Sequence, residues 1–109
     1  MFDKDKYVTK GIDTNVPKDL LIFLWSLAVE QGKKDKCDYL QVFEVIIKDE
    51  DEHNILFSIE HRTEQPALKA KYAVQMTKSE MNLDKLRTKA TIFVIDDGVY
   101  STMLFNYEY

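Results

Sequence analysis

The sequence predicts an α+β fold in which one long N-terminal helix packs in a curved antiparallel sheet of five or six strands. Nine of the ten residues from Leu20 to Val29 are apolar, which indicates a helix wrapped by other elements. From Tyr39 onward the apolar residues recur with a period of two, as in β-strands. The 109 residues are too few for two independent cores, so a single domain covering 1–109 is expected.

The helix is predicted to follow a short strand at Tyr7–Ile12, after a polar turn. Pro17 suits the first helical position, because the N–H that it lacks would have no intrahelical partner there. Between Leu20 and Ala28 the apolar side chains cover roughly 200° of the helical circumference, about twice the usual stripe. The sheet should therefore curl around the helix. Gly32 marks the expected end, because glycine tolerates the left-handed cap.

Five later segments predict the sheet. Tyr39–Lys48 is apolar on both faces, which indicates a central strand. Ile55–Thr63 and Leu68–Met76 alternate between apolar and polar residues, so each buries one face. Two last segments, Ala90–Asp96 and Val99–Tyr107, flank Asp97 and Gly98, a pair typical of tight hairpin turns.

Alignment of the apolar faces predicts how the three middle strands pair. The inner rows are Ile47, Ile55 and Met76; Val45, Phe57 and Val74; Phe43, Ile59 and Tyr72; and Gln41, His61 and Ala70. The first three rows form a core, and the fourth is polar. On the outer face this register places Glu60 opposite Lys71, a favourable pair.

The same register collects an apolar cluster on the outer face, formed by Leu40, Val42, Ile46 and Leu56. Monomers rarely leave such a patch in water, so it predicts a homodimer or another protein partner. The competing explanation is intramolecular. Thr77 and Glu80 have the spacing of a capping box, and a short helix at Lys78–Arg87, anchored by Met81 and Leu86, would then lie across the patch.

Two stretches resemble a small bacterial family, domain of unknown function family 960. The first runs from Lys6 to Ile12 and continues with Val16, Pro17, Leu20, Phe23, Leu24 and Trp25. The second runs from Asp38 to Phe43, so the likeness covers essentially the whole chain in order. The resemblance implies a short, uncharacterised cytoplasmic protein of Gram-positive bacteria. It implies no activity, cofactor or site.

Charge and composition argue against several classes of partner. The chain has 19 acidic and 15 basic residues and a net charge of −4, so it offers no positive field for nucleic acid. The ten-residue apolar run is half of a membrane span and follows a mixed-charge segment, so we expect neither a transmembrane helix nor a signal peptide. Cys37 is the single cysteine, which excludes an intramolecular disulfide and fits a reducing cytoplasm.

No motif for a metal, a cofactor or catalysis stands out. The acidic run from Asp49 has Asn54 where a calcium loop needs glycine and His61 where it needs glutamate. His53, His61 and Cys37 are scattered and lack the spacing of a zinc site. Nucleophilic catalysis would need a serine or cysteine beside a base, and no motif supplies one. We therefore expect no metal, no cofactor and no catalytic residue.

Three functional hypotheses follow. The favoured one is a non-enzymatic protein-interaction or regulatory module. The alternative is a small-ligand binding domain with a pocket between helix and sheet, and a small enzyme using His61 is the third. Any ligand site is expected where the inner face turns polar, at Tyr39, Gln41, His61 and Thr63, because donors and acceptors beside an apolar floor can orient a ligand.

Overall fold

The computed structural model describes residues 1–34, 37–78 and 80–109. Within them, the strands are β1 (Asp5–Val8), β2 (Leu40–Glu50), β3 (Asn54–Thr63), β4 (Leu68–Thr77), β5 (Ala90–Asp96) and β6 (Tyr100–Phe105). The α-helices are α1 (Lys10–Asn15), α2 (Lys18–Gly32) and α3 (Asp84–Arg87), and a 3₁₀ turn covers Asn106–Glu108. The predicted α+β class is confirmed.

The strands form one sheet in the order β1-β6-β5-β2-β3-β4. The prediction of a purely antiparallel sheet was wrong, because β1 runs parallel to β6. A parallel pair requires a long crossover connection, and nearly the whole chain separates these two strands. The predicted central position of β2 is confirmed, since it pairs with both β3 and β5. The open edges of the sheet are β1 and β4.

Two helices replace the single long helix of the prediction. The expected strand at Tyr7–Ile12 is cut short, because Thr9 caps α1 by accepting a hydrogen bond from the Ile12 N–H at 3.3 Å. Pro17 then keeps Val16 extended, with φ −112° and ψ 120°, so the first helix must stop. The second helix, α2, has 15 residues and ends at Gly32 as predicted. The expected left-handed cap is absent there, because the C-cap is Lys33 with φ −76° and ψ −15°.

The predicted register holds on one side of β3 and fails on the other. The β3–β4 pairs are as expected, including Ile59 with Tyr72 and Glu60 with Lys71. The β2–β3 pairs are displaced by two residues, so Phe43 faces His61 and not Ile59. A shift of two leaves every side chain on its face, so alternation cannot detect it. The turn after Asp49 and a bulge between Ile47 and Asp49 set the pairing.

All three α-helices contribute buried side chains to the inner core, among them Ile12, Leu20 and Leu86. The helix predicted at Lys78–Arg87 is limited to α3, and residue 79 of the capping-box segment lies outside the described residues. Because Leu83 and Leu86 are in the core, this segment covers the inner face and leaves the outer face open. In the described part of the chain, no helix is long and apolar enough to cross a membrane.

The predicted hairpin is confirmed at the end of the chain. β5 and β6 pair antiparallel through Asp96 and Ser101, around Asp97 and Gly98. Gly98 has φ +95°, a conformation that side-chain-bearing residues rarely adopt. The Asp97 carboxylate accepts hydrogen bonds from the Val99 and Tyr100 N–H groups, both at 2.9 Å. The turn is therefore determined by local chemistry.

Candidate functional site

The outer face of the sheet carries a contiguous apolar surface, which we call the outer patch. It consists of Leu40, Val42, Phe93, Ile95 and Leu104. The first four are partly exposed, and Leu104 is buried. Cross-strand pairing produces the patch, because Val42 faces Phe93 and Phe93 in turn faces Leu104. Apolar side chains on adjacent strands lie within contact distance, so the patch is one surface.

A band of ion pairs borders the outer patch. The Arg62 guanidinium lies 2.8 Å from the Glu44 carboxylate and 3.1 Å from that of Glu60. Lys89 and Lys71 contact the same two carboxylates, at 3.3 Å and 4.0 Å. These hydrogen bonds, that of Arg62 first, lower the pKa of Glu44. The acidic groups nearest the patch are thus compensated within the chain.

A groove of about 620 Å³ opens at one end of this face. Its lining combines apolar and charged side chains and consists of Asp38, Tyr39, Leu40, Val42, Arg62, Thr63, Glu64, Leu68 and Lys69. The groove therefore extends the outer patch toward β4. Two predicted ligand residues, Tyr39 and Thr63, line it together with two predicted interface residues, Leu40 and Val42.

The other two interface candidates, Ile46 and Leu56, lie on the same face but outside the outer patch. Glu44 separates Ile46 from Val42 along β2, and the cross-strand neighbour of Ile46 is Ser58. Leu56 faces Asp49 on one side and Gln75 on the other. Polar neighbours therefore divide the predicted cluster.

Three of the predicted ligand residues, Gln41, His61 and Thr63, are buried under the second half of α2. The Gln41 Nε2 donates to the Ala28 carbonyl at 2.9 Å, and His61 Nε2 lies 2.6 Å from Gln41 Oε1. The Gln31 Nε2 donates to Thr63 Oγ1 at 3.1 Å. These bonds join helix to sheet. Tyr39 is 54% exposed and takes no part in them.

His61 is neutral at physiological pH. Because Gln41 Nε2 donates to a carbonyl, Gln41 Oε1 is the acceptor, and His61 Nε2 carries the proton. The ring stacks on Phe43 with centroids 4.3 Å apart. Burial, with a smaller effect of the Lys34 charge, lowers the pKa of His61 to about 4. A neutral histidine held in this way fits packing better than proton transfer.

A cavity of about 270 Å³ between helix and sheet lies at the other end of the inner face. Ile55, Phe57 and Met76 form its apolar floor, and Lys18 and Lys78 are among its lining residues. From the sequence, the row of Ile55 and Met76 was expected only to pack in the core. The start of α2 leaves this row partly open.

A family model described as staphylococcal protein of unknown function, domain family 960, matches residues 5–108. The chain belongs to this family. The resemblance noted from the sequence is thereby confirmed. No curated protein matches the chain.

A crystal structure of a protein of unknown function from Enterococcus faecalis has the same fold as this family 960 member. The TM-score is 0.68 at 16% sequence identity, and the match covers 98% of this chain and 92% of the other. At that identity the likeness concerns the fold alone. The function must therefore be inferred from the site.

The sequence pattern of this family 960 member did not predict three residues of the outer patch, Phe93, Ile95 and Leu104. Phe93 and Ile95 alternate with buried residues along β5. Their place beside Val42 depends on the insertion of β5 between β6 and β2, which a single sequence does not reveal.

Among the described residues, no three His, Cys, Asp or Glu side chains converge as a metal site would require. Burial is the main cause that raises the pKa of the Cys37 thiol.

Proposed function

We propose that this protein is a non-enzymatic interaction module that self-associates through the outer patch. The observation that carries the proposal is an apolar surface across three strands, β2, β5 and β6, that no described helix covers. Within it, the Tyr109 ring meets the Phe93 ring edge-on at 5.9 Å. The inner face, in contrast, is packed around α2, and its histidine is bonded to Gln41 and stacked on Phe43. A cytoplasmic location is part of the proposal, since the single thiol is buried and unpaired.

The size and charge of the outer face suit a second copy. Six strands spaced about 4.8 Å apart, with about eight residues each, give the whole outer face about 750 Å² before side-chain relief is counted. A standard interface buries about 800 Å² on each partner, which is of the same order. Glu44 and Glu60 are already paired with cations of their own chain. Apposing two such faces would therefore bury no unpaired carboxylate from this band.

Light scattering on the variant Val42→Lys tests the proposal. Val42 lies in the outer patch and is partly exposed, so a lysine there keeps the fold but places a charge in the contact. We expect the molar mass to fall by half relative to wild type. Ile22→Lys is the matched control, because Ile22 is a β-branched residue on α2 that is 57% exposed. A wild type that remains a 12.8 kDa monomer at all concentrations would overturn the proposal.

A second candidate function, binding of a small ligand, is favoured by the helix–sheet cavity. Its volume of about 270 Å³ is slightly below the usual range for ligand pockets. Lys78 is paired with Glu50 at 2.8 Å, so Lys18, which lines the cavity beside Asp19, is the cation that would meet a small apolar carboxylate above this floor. Titration with benzoate, followed by NMR, should shift the amide signals of Ile55 and Met76. Unchanged signals at millimolar benzoate would count against this candidate.

A further inference from the structure

The strand β4 leaves one complete backbone edge open. It pairs with β3 through ten consecutive residue pairs and without a bulge. In the described part of the chain, no backbone hydrogen bond joins β4 to any other segment. A long regular edge is a template for pairing with another chain. The opposite edge, β1, has four residues and offers much less.

The inner-face side chains are less buried on β4 than on β3. Every second side chain of β3 from Ile55 to Thr63 is buried, whereas the facing side chains of β4 from Leu68 to Met76 are half-buried. The helix α2 reaches the edge through Phe23, whose ring meets the Tyr72 ring edge-on at 5.8 Å. The apolar floor of the sheet therefore continues to the open edge and ends in solvent.

We propose that β4 pairs antiparallel with β4 of a second copy, centred on Ala73, so that two sheets become one. In this register Tyr72 faces Val74 of the second copy, and Ala70 faces Met76. Both pairs occur twice by symmetry. Aromatic side chains beside β-branched ones are favourable cross-strand pairs, and a small residue opposite a large one fills the row evenly. The strand is therefore complementary to itself.

The outer-face lysines are compatible with this centre and disfavour centres in the first half of β4. Centred on Ala73, the pairing sets Lys71 opposite Gln75 and Lys69 opposite Thr77, so like charges stay apart. A centre on Lys71 would bring two copies of that lysine together, and a centre on Ala70 would set Lys69 opposite Lys71. Like charges directly opposite each other are destabilising. Repulsion between lysines therefore favours a pairing centre in the second half of β4.

The two-fold axis of this pairing is perpendicular to the sheet. Each copy uses its β4 edge once, so the contact closes after two chains and leaves no open long edge. The outer patches of the two copies remain on the same side of the joined sheet. The edge contact is therefore independent of the face contact proposed above, and a variant of either surface leaves the other intact.

Light scattering on Ala73→Lys provides the first test. Ala73 is exposed on the outer face, so the lysine costs the monomer little but meets its own copy at the centre of the pairing. We expect the molar mass to fall by half. Ala67→Lys is the matched control, because Ala67 is exposed in the turn before β4 and lies outside the paired segment. Equal masses for Ala73→Lys and wild type would overturn the proposal, whether β4 is unpaired or takes another chain.

Cysteine cross-linking tests the register itself. Two copies of Ala73→Cys face each other at the centre, so mild oxidation should give a covalent dimer on a non-reducing gel. In Gln75→Cys the two thiols lie four residues apart, about 14 Å along the strands, beyond the about 7 Å that a disulfide spans. The native Cys37 is buried and should remain free. No cross-link for Ala73→Cys, or equal cross-linking of both variants, would refute the register.

Discussion

The buried histidine makes the stability of the protein dependent on pH in a calculable way. In the folded state burial lowers the pKa of His61 from 6.5 to about 4. Between these values the unfolded chain binds a proton that the folded chain does not, so the free energy of unfolding decreases as the pH falls. This contribution is fully present above about pH 6.5 and is lost progressively toward about pH 4.

The magnitude follows from the two pKa values. Each unit of difference corresponds to about 1.4 kcal/mol, so the full loss is about 3 kcal/mol, of which about 2 kcal/mol appears between about pH 8 and about pH 5. Titration of the carboxylates does not obscure the change in unfolding free energy over this pH range. The pKa of Glu50 is lowered to about 2, chiefly by its hydrogen bond with Arg87, and the stability that it contributes is lost only below its ordinary pKa of 4.5.

Urea denaturation at the two pH values measures the effect. Wild type should lose about 2 kcal/mol of unfolding free energy on going from about pH 8 to about pH 5. His61→Gln removes the titration, while a glutamine amide can still donate to Gln41 Oε1, so the loss should disappear. His53→Gln is the control, because His53 is the other histidine of the chain and is exposed. A loss of the same size in His61→Gln would refute the argument.

Two further predictions concern the fold. Phe43 is fully buried against His61, so Phe43→Ala should lower the free energy of unfolding by about 3 to 5 kcal/mol, measured by urea denaturation, whereas Val99→Ala at an exposed position should change it by less than about 0.5 kcal/mol. Gly98→Ala should cost about 1 to 2 kcal/mol in the same assay, because φ is +95° while the space around the glycine is open. An unchanged midpoint would contradict either prediction.

The sequence was sufficient where local chemistry decides. Asp97 and Gly98 determine their turn, and the alternation of β3 and β4 predicted their register correctly. It was insufficient where topology decides. The pairing of β1 with β6 and the place of β5 beside β2 arise from contacts distant in the chain. The displacement of β2 by two residues leaves each side chain on the same face of the sheet. The hydrophobic pattern therefore cannot predict this displacement.

The candidate site was predicted in part for the same reason. Leu40 and Val42 were expected on an open face, and they lie there. Their neighbours Phe93 and Ile95 come from β5, whose position beside β2 the sequence pattern does not determine. The expected polar end of the inner face also exists, at Gln41 and His61. The hydrogen bond from Gln41 to the carbonyl of Ala28, which lies on the packed helix, could not be predicted from strand alternation.

The most direct test of the central claim is the molar mass of the protein in the Ala73→Lys background, where the outer patch is the one proposed contact that remains. We predict a dimer of 12.8 kDa chains for Ala73→Lys and a monomer once Val42→Lys is added. An Ala73→Lys variant that is already monomeric at every concentration, or a double variant that stays dimeric, would contradict the claim that the outer patch joins two copies.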